Sequence, residues 1–333
     1  MTQGRQFSAL AKLASGHVEA QIVQTAVKLG IFDAIGDGAA HAQTVAATLG
    51  LEQRATELML NALTALRLTK KTAARFSLTK ASSRYLRRSA PEYLGGMILF
   101  DASLWRCWEH LPDTVRTGKP ARPANMYQED PEETAIFISA MDSLVKARGD
   151  TDILAKAYDW EAVTELLDIG SGPATYPISL CRKYPNLKAT IFDLPATLKI
   201  TEEYVREAGL QQRIRLMPGD YRIDDVSGSY DVVFLSNIIH GESYKQNQNL
   251  IRKLYPIVEP RGHIIIKDHI LEDSRTNPPV GALFSLLMLL TTDSGRCYGF
   301  DEVKSWMDSA GFKEIQQIDL PAPLNSSLVL GKR

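Results

Sequence analysis

Residues 166–175 read LLDIGSGPAT. The mostly apolar run Glu165–Ile169 carries one acid, Asp168, and leads into two glycines one residue apart, Gly170 and Gly172. Glycines there let the backbone turn sharply and approach a ligand where a Cβ would stand in the way. Tyr176–Lys183 can then start a helix whose N-terminal amides face the same ligand. The next strand, Lys188–Leu194, delivers Asp193 about twenty residues past the turn, where an acid can accept both ribose hydroxyls, with Leu194 beside it. A third strand, Ile214–Met217, ends in Pro218-Gly219-Asp220-Tyr221 and brings an acid and an aromatic ring to where an adenine would lie. The stretch predicts a pocket for a nucleoside-bearing cofactor. The third position of the dinucleotide fingerprint is Thr175, so the glycines alone do not say which cofactor.

Outward from this stretch the pattern alternates strand and helix. Asp231–Ser236 and Gly262–Asp268 are further strands, and their continuous apolar runs suit a parallel sheet covered on both faces. Glu314–Leu320 and Leu328–Leu330 follow so closely that they read as antiparallel neighbours, since a parallel pair needs a longer crossover. The fold class is therefore α/β: a Rossmann-like sheet, parallel with an antiparallel C-terminal strand.

The first ninety residues read differently. Residues 17–35 place Val18, Ile22, Ala26 and Leu29 at helical spacing until Gly30 and Asp33 break the pattern. Ala42–Leu49 is a short helix stopped by Gly50, Gln53–Leu68 a longer one, and Arg75–Leu78 a strand, together a winged-helix unit. Residues 1–90 hold twelve Lys/Arg against five Asp/Glu, a balance of +7 within a chain of net charge −1. That asymmetry raises a nucleic-acid reading. A DNA-reading second helix would show polar and basic side chains to the bases; this one carries Leu58, Met59, Leu60, Leu63, Leu66 and Leu68. Burial against a second copy fits better, so the expectation is a homodimer and no nucleic acid. Residues 91–150 read as a helical connector, broken by the Gly118–Asp130 loop. The cofactor domain takes 151–333.

At 333 residues, 44% apolar and 23% charged, the composition is that of an ordinary globular protein. Cys107, Cys181 and Cys297 are scattered, which suggests neither a zinc site nor a disulfide framework and fits a cytoplasmic location. The most apolar run, Ala282–Leu290, is too short to span a bilayer, so no membrane partner is expected.

Ligands of open parallel sheets lie at the carboxyl ends of the strands. Those ends carry Asp168 with Gly170 and Gly172, Asp193, Gly219 with Asp220 and Tyr221, Ser236-Asn237 with His240, and Asp268. A neutral imidazole at His240, reading as the start of a helix, can accept a proton at neutral pH, with Asp268 on the next strand to orient it. His263 sits at the wrong edge, and His269 reads as structural.

From about residue 15 onward the chain resembles the S-adenosylmethionine-dependent O-methyltransferases that include plant caffeic acid and acetylserotonin enzymes and bacterial natural-product enzymes. LLDIGSGPAT, IFDLP, PGDY, DVVFLSNIIHGES and GRCYGFDEVKSWMDSAGF carry the resemblance. It implies that the N-terminal unit is a dimerisation module and that Gly170 and Gly172 face the methionyl part of the cofactor. It further implies Asp193 at the ribose, Asp220 and Tyr221 at the adenine, His240 as the base and Asp268 as its positioning acid. Phe284 and Met288 match the acceptor-lining segment; Leu99, Phe100, Trp105, Phe137, Met141 and Asn237 complete an apolar, flat acceptor pocket. Three departures stand out. Ser236 occupies the place of a lysine that holds the cofactor carboxylate in plant members, Gly241 that of an acid after the base, and Cys297 that of a second supporting acid. The base then rests on Asp268, with Glu242 as a further candidate. The implied reaction is methyl transfer to a hydroxyl of a small aromatic acceptor, without a metal. A cofactor-sensing DNA-binding regulator, a nicotinamide oxidoreductase, and C- or N-methylation on the same fold are the competing readings.

Overall fold

The computed structural model describes residues 3–123 and 129–333. The Gly118–Asp130 loop thus lies partly outside the described residues. Two compact units emerge, Met1–Leu104 and Trp105–Arg333.

In the first unit, helix Gly16–Leu29 ends where Gly30 turns left-handed (φ 76°) and donates back to the Ala26 and Val27 carbonyls, after which Ile31–Ile35 resumes as a separate short helix. Ala42–Leu49 stops at left-handed Gly50 as its sequence predicts. The next helix, Gln53–Ala65, starts with the Glu52 carboxylate accepting from the Arg54 and Ala55 amides. It ends short of the expected Leu68 because Arg67 adopts φ 60° and the chain enters a strand. Three short strands result: β1 (Ala39–His41), β2 (Thr69–Thr72) and β3 (Arg75–Leu78), in the order β1-β3-β2, all antiparallel. Only β3 was legible; β2, TKKT, reads as part of a basic run.

The Leu-rich second helix does not expose the face expected of it. Leu60 and Leu63 are fully buried in this unit's own core with Val45, Phe32 and Phe76, and Leu58 alone among its leucines is largely exposed. The exposed apolar surface lies instead on helix Gln3–Ala14, unforeseen in the sequence, where Phe7, Leu10 and Leu13 are 75%, 68% and 81% exposed. Three of the cations are locally paired: Arg84 with Glu92, Arg87 with Asp37, and Arg88 with Asp33.

The second unit carries the sheet. Its strands are β4 (Glu165–Ile169), β5 (Lys188–Asp193), β6 (Ile214–Pro218), β7 (Tyr230–Ser236), β8 (Val258–Asp268), β9 (Lys313–Asp319) and β10 (Ser327–Lys332). Their order is β6-β5-β4-β7-β8-β10-β9. The strands from β4 to β8 pair in parallel. β10 runs antiparallel to both β8 and β9, so it alone opposes the sheet's direction. Alternation along each strand feeds two cores. Leu166, Val232, Phe234 and Ile265 enter one; Leu167, Ile169, Val233, Leu235, Ile264 and Ile266 enter the other. Burial on both faces is why these strands read as unbroken apolar runs. Among the described residues no helix is long and apolar enough to cross a membrane.

Candidate active site

At the carboxyl edge of β4, β5 and β6 lies a cavity whose mouth opens to solvent. Gly170 (φ 65°), Gly172 (φ 59°) and Ala174 (φ 60°) are all left-handed, which curls the loop so that its amides face inward. A side chain at Gly170 would meet the end of Ile238 and sit at a left-handed φ, which favours glycine at this turn. Helix Thr175–Lys183 follows with no side-chain cap, leaving its first amides for a ligand. Asp193 ends β5 with Oδ2 accepting from the Gly172 amide (2.8 Å) and Oδ1 from the Leu194 amide (2.7 Å). Asp168 is 1% exposed; its Oδ2 accepts from Ser171 Oγ at 2.6 Å, and its Oδ1 has no partner among the described residues.

Burial dominates both acids. It pushes the Asp168 carboxyl up to about 8, with Ser171 acting against it and the neighbouring Asp193 charge adding to it. Asp193 is raised to about 6, again by burial, against the Gly172 and Leu194 amides. Both acids would gain from a ligand that donates hydrogen bonds to them.

The third acid, Asp220, lines the same cavity with Gly219 and Tyr221 and is already paired. Arg222 clamps Asp220 through Nε and Nη2 at 2.7–3.1 Å and holds its carboxyl below the usual range. Tyr221 donates to Glu242 Oε1 at 2.9 Å. That corrects one expectation: Glu242 supports Tyr221 and not the imidazole.

His240 lies in a 3₁₀ turn, Ile239–Gly241, rather than in the following helix, Tyr244–Leu254, which opens on its own Ser243/Gln246 capping box. His240 Nδ1 sits 2.9 and 3.0 Å from the two carboxylate oxygens of Asp268. Asp268 is 1% exposed. Burial works to raise its carboxyl, but the charge and hydrogen bond of His240, with His269, outweigh it and hold the group below the ordinary carboxylate range. Phe284 meets the His240 ring edge-on, centroids 4.8 Å apart, and the His269 ring at 5.5 Å. His269 engages the Asn325 carbonyl through Nδ1 (2.8 Å), and His263 pairs with the Tyr158 hydroxyl at the opposite edge of the sheet.

Of the expected acceptor residues, Phe137, Met141 and Asn237 line the same cavity as the glycines, as does Ser236. Met288 is buried on the Pro279–Thr291 helix that carries Phe284. Trp105 is half-buried at the start of the second unit; Leu99 and Phe100 belong to the first, where Phe100 is buried. Sequence reasoning missed a polar knot beside the glycine loop. Arg148 lines the cavity, with Nε and Nη2 on Asp150 at 3.0 and 2.7 Å. Asp150, fully buried, also accepts from the Tyr176 hydroxyl (2.9 Å) and faces buried Lys267 Nζ at 3.4 Å. A lysine inside the run IIIKD was the available signal; Arg148 reads merely as a cation at a helix C-terminus.

Comparison with known proteins gives this edge its chemistry. An O-methyltransferase domain model matches residues 108–313, and an O-methyltransferase dimerisation domain model matches residues 11–88. The chain belongs to the O-methyltransferase family. A 3-hydroxy-5-methyl-1-naphthoate 3-O-methyltransferase of Streptomyces sahachiroi is 30% identical over 97% of this chain and 94% of its own. The tetracenomycin polyketide synthesis 8-O-methyl transferase TcmO of Streptomyces glaucescens is 29% identical over 93% and 91%. Human N-acetylserotonin methyltransferase, solved with its S-adenosylmethionine cofactor, shares the fold at TM-score 0.89, with 23% identity over 100% of this chain and 98% of its own. The family uses S-adenosylmethionine. The methyltransferase fits that group: an orphaned buried oxygen on Asp168, an uncapped helix and a glycine loop all meet at one apolar-walled cavity.

Proposed function

We propose that this methyltransferase acts on a hydroxyl of a small aromatic acceptor, with His240 as general base, and works as a homodimer joined through its N-terminal unit. The observation that carries the reading is the grip of Asp268 on His240 Nδ1. A carboxylate there requires the proton on Nδ1, so Nε2 is left as the proton acceptor. The same buried charge stabilises the imidazolium that forms when a hydroxyl proton is taken. A phenol ionises near pH 10 and needs such help at neutrality.

Asp193 would hold the ribose, and the Gly170–Gly172 loop the methionyl part. Where plant members use a lysine, Arg148 takes the carboxylate through Nη1, since Asp150 occupies only Nε and Nη2. When bound, S-adenosylmethionine supplies a methyl already activated by the sulfonium. What remains for the protein is to hold the acceptor oxygen in line and to move its proton. Phe137, Met141 and Phe284 offer flat apolar walls, which suits fused-ring phenols such as hydroxynaphthoates or polyketides. The dimerisation-domain match and the exposed Phe7, Leu10 and Leu13 support the homodimer.

The test is a screen of hydroxynaphthoates, polyketide phenols and indoles with isotopically labelled cofactor, with mass spectrometry locating the transferred methyl. Label on a phenolic oxygen is expected. Transfer only to carbon or nitrogen would overturn the hydroxyl assignment.

A further inference from the structure

The turn that bears His240 is held from several sides. Fully buried Asn247 donates from Nδ2 to the Ile239 carbonyl at 2.8 Å, and the Tyr298 hydroxyl donates to the Glu242 carbonyl at 2.6 Å. The carbonyl of His240 itself is met by a different device. A Cβ built on Gly295 would lie 2.5 Å from Thr292 Oγ1, 3.0 Å from the Gly241 carbonyl carbon, and closer still to the His240 carbonyl oxygen. Real Cβ atoms do not approach this closely, and two of the three atoms are backbone with nowhere to go. Gly295 is buried. Its amide donates to Thr292 Oγ1 at 2.8 Å, and that hydroxyl donates to the Met288 carbonyl at 2.7 Å, at the end of the Phe284 helix. Two residues on, the Cys297 amide donates to Ser285 Oγ at 3.1 Å in the same helix.

We propose that Gly295 is a positioning residue for the base: its bare α-carbon lets the Thr292–Cys297 loop seat against the His240 backbone and set how far the imidazole stands from Asp268 and from the acceptor. The proposal rests on His240 being the base. A methyl at position 295 must push the His240–Gly241 turn away from the loop. The shift acts on the imidazole and leaves the ends of β4, β5 and β6 untouched.

The experiment compares Gly295→Ala with Gly38→Ala in the first unit, whose added methyl meets nothing within 4 Å. Three readouts are taken on the full-length protein. They are the ¹⁵N imidazole titration of His240 (assigned by its loss in His240→Gln), calorimetric affinity for S-adenosylhomocysteine, and turnover of 3-hydroxy-1-naphthoate. In Gly295→Ala the His240 titration should move and turnover fall by roughly 10–100-fold, as a misplacement near 1 Å does, with S-adenosylhomocysteine affinity kept within about twofold. Gly38→Ala should match wild type in all three. Should the naphthoate not be turned over by the wild type, the imidazole titration and the affinity decide. Should Gly295→Ala fail to fold, Thr292→Val, which removes the hydroxyl holding the Gly295 amide, should move the same titration in a folded protein. An unmoved His240 titration in Gly295→Ala, or in Thr292→Val where that variant stands in, overturns the proposal. So does a Gly295→Ala loss of cofactor affinity as large as its loss of turnover. Full turnover in His240→Gln would instead remove the base assignment, a result separable from either.

Discussion

Asp168 and Asp268 stand on the same edge of one sheet, each 1% exposed, yet they titrate in opposite directions. Asp168 is pushed up to about 8, whereas Asp268 is held below its ordinary value. Burial acts on both alike, so partners decide the sign. Asp168 has one hydroxyl, one orphaned oxygen and a second acid nearby; Asp268 has an imidazole across both oxygens and the His269 amide at 2.7 Å. The Asp168 end is thus electrostatically incomplete until a donor arrives, while the pair of His240 and Asp268 is assembled in advance. Preorganisation is confined to the pair in which we propose the base.

The largest expected effect tests the assembled end. His240→Ala should lower turnover roughly 10²–10⁴-fold while leaving S-adenosylhomocysteine affinity nearly intact. Asp268→Asn should follow it in direction, because an amide does not stabilise the imidazolium; unchanged turnover in both variants would erase the distinction between the two ends. Next comes the incomplete end. Asp193→Ala removes the acceptor of two backbone amides and of the proposed ribose contact, and cofactor affinity should drop by about 10–100-fold. Calorimetry reads this directly, and a drop below threefold would place the ribose elsewhere.

A smaller effect concerns pH. Asp193 is raised to about 6 in the free protein, and donors from a ligand favour its ionised form, so binding must expel a proton below that pH. Affinity for S-adenosylhomocysteine should therefore weaken as pH falls from about 7 to 5, and less steeply in Asp193→Asn, where only Asp168 still releases a proton on binding, measured by titration at each pH. Smallest is a stability difference. A native pKa of about 8 means that the folded, cofactor-free protein keeps the Asp168 proton that the unfolded chain releases near 4, and its stability declines as pH rises through that window. Asp168→Asn should lift the cofactor-free melting temperature by about a few degrees at pH 8.5 and little at pH 4.5. An Asn variant less stable than wild type at pH 8.5 would show that the orphaned oxygen costs nothing.

Legibility in the sequence followed the range of the physics. Gly30 and Gly50 announce their turns because left-handed backbone is a one-residue property. β4 and Ala42–Leu49 were readable to the residue, since period and punctuation agree there. The strand ends brought Asp168, Asp193 and His240 together because parallel topology puts such residues on one edge. Other features depend on partners distant in sequence. Arg148 and Lys267 meet only through Asp150, and Glu242 turned to Tyr221 rather than to the imidazole. The leucines of Gln53–Ala65 could not declare inward or outward until the hairpin of β2 and β3 closed beside them.

The placement of β10 has a consequence for how the protein is made. Ser327 pairs with Asp268, and Lys332 with His263, so the flank of β8 is supplied by residues translated some sixty positions later than Asp268. On the ribosome, β8 would wait as an unprotected edge, able to recruit any stray strand, until those residues emerge. Nascent-chain stalling after residue 320 should accordingly yield a species that binds chaperones or aggregates, even though every residue of the cofactor cavity has already been synthesised.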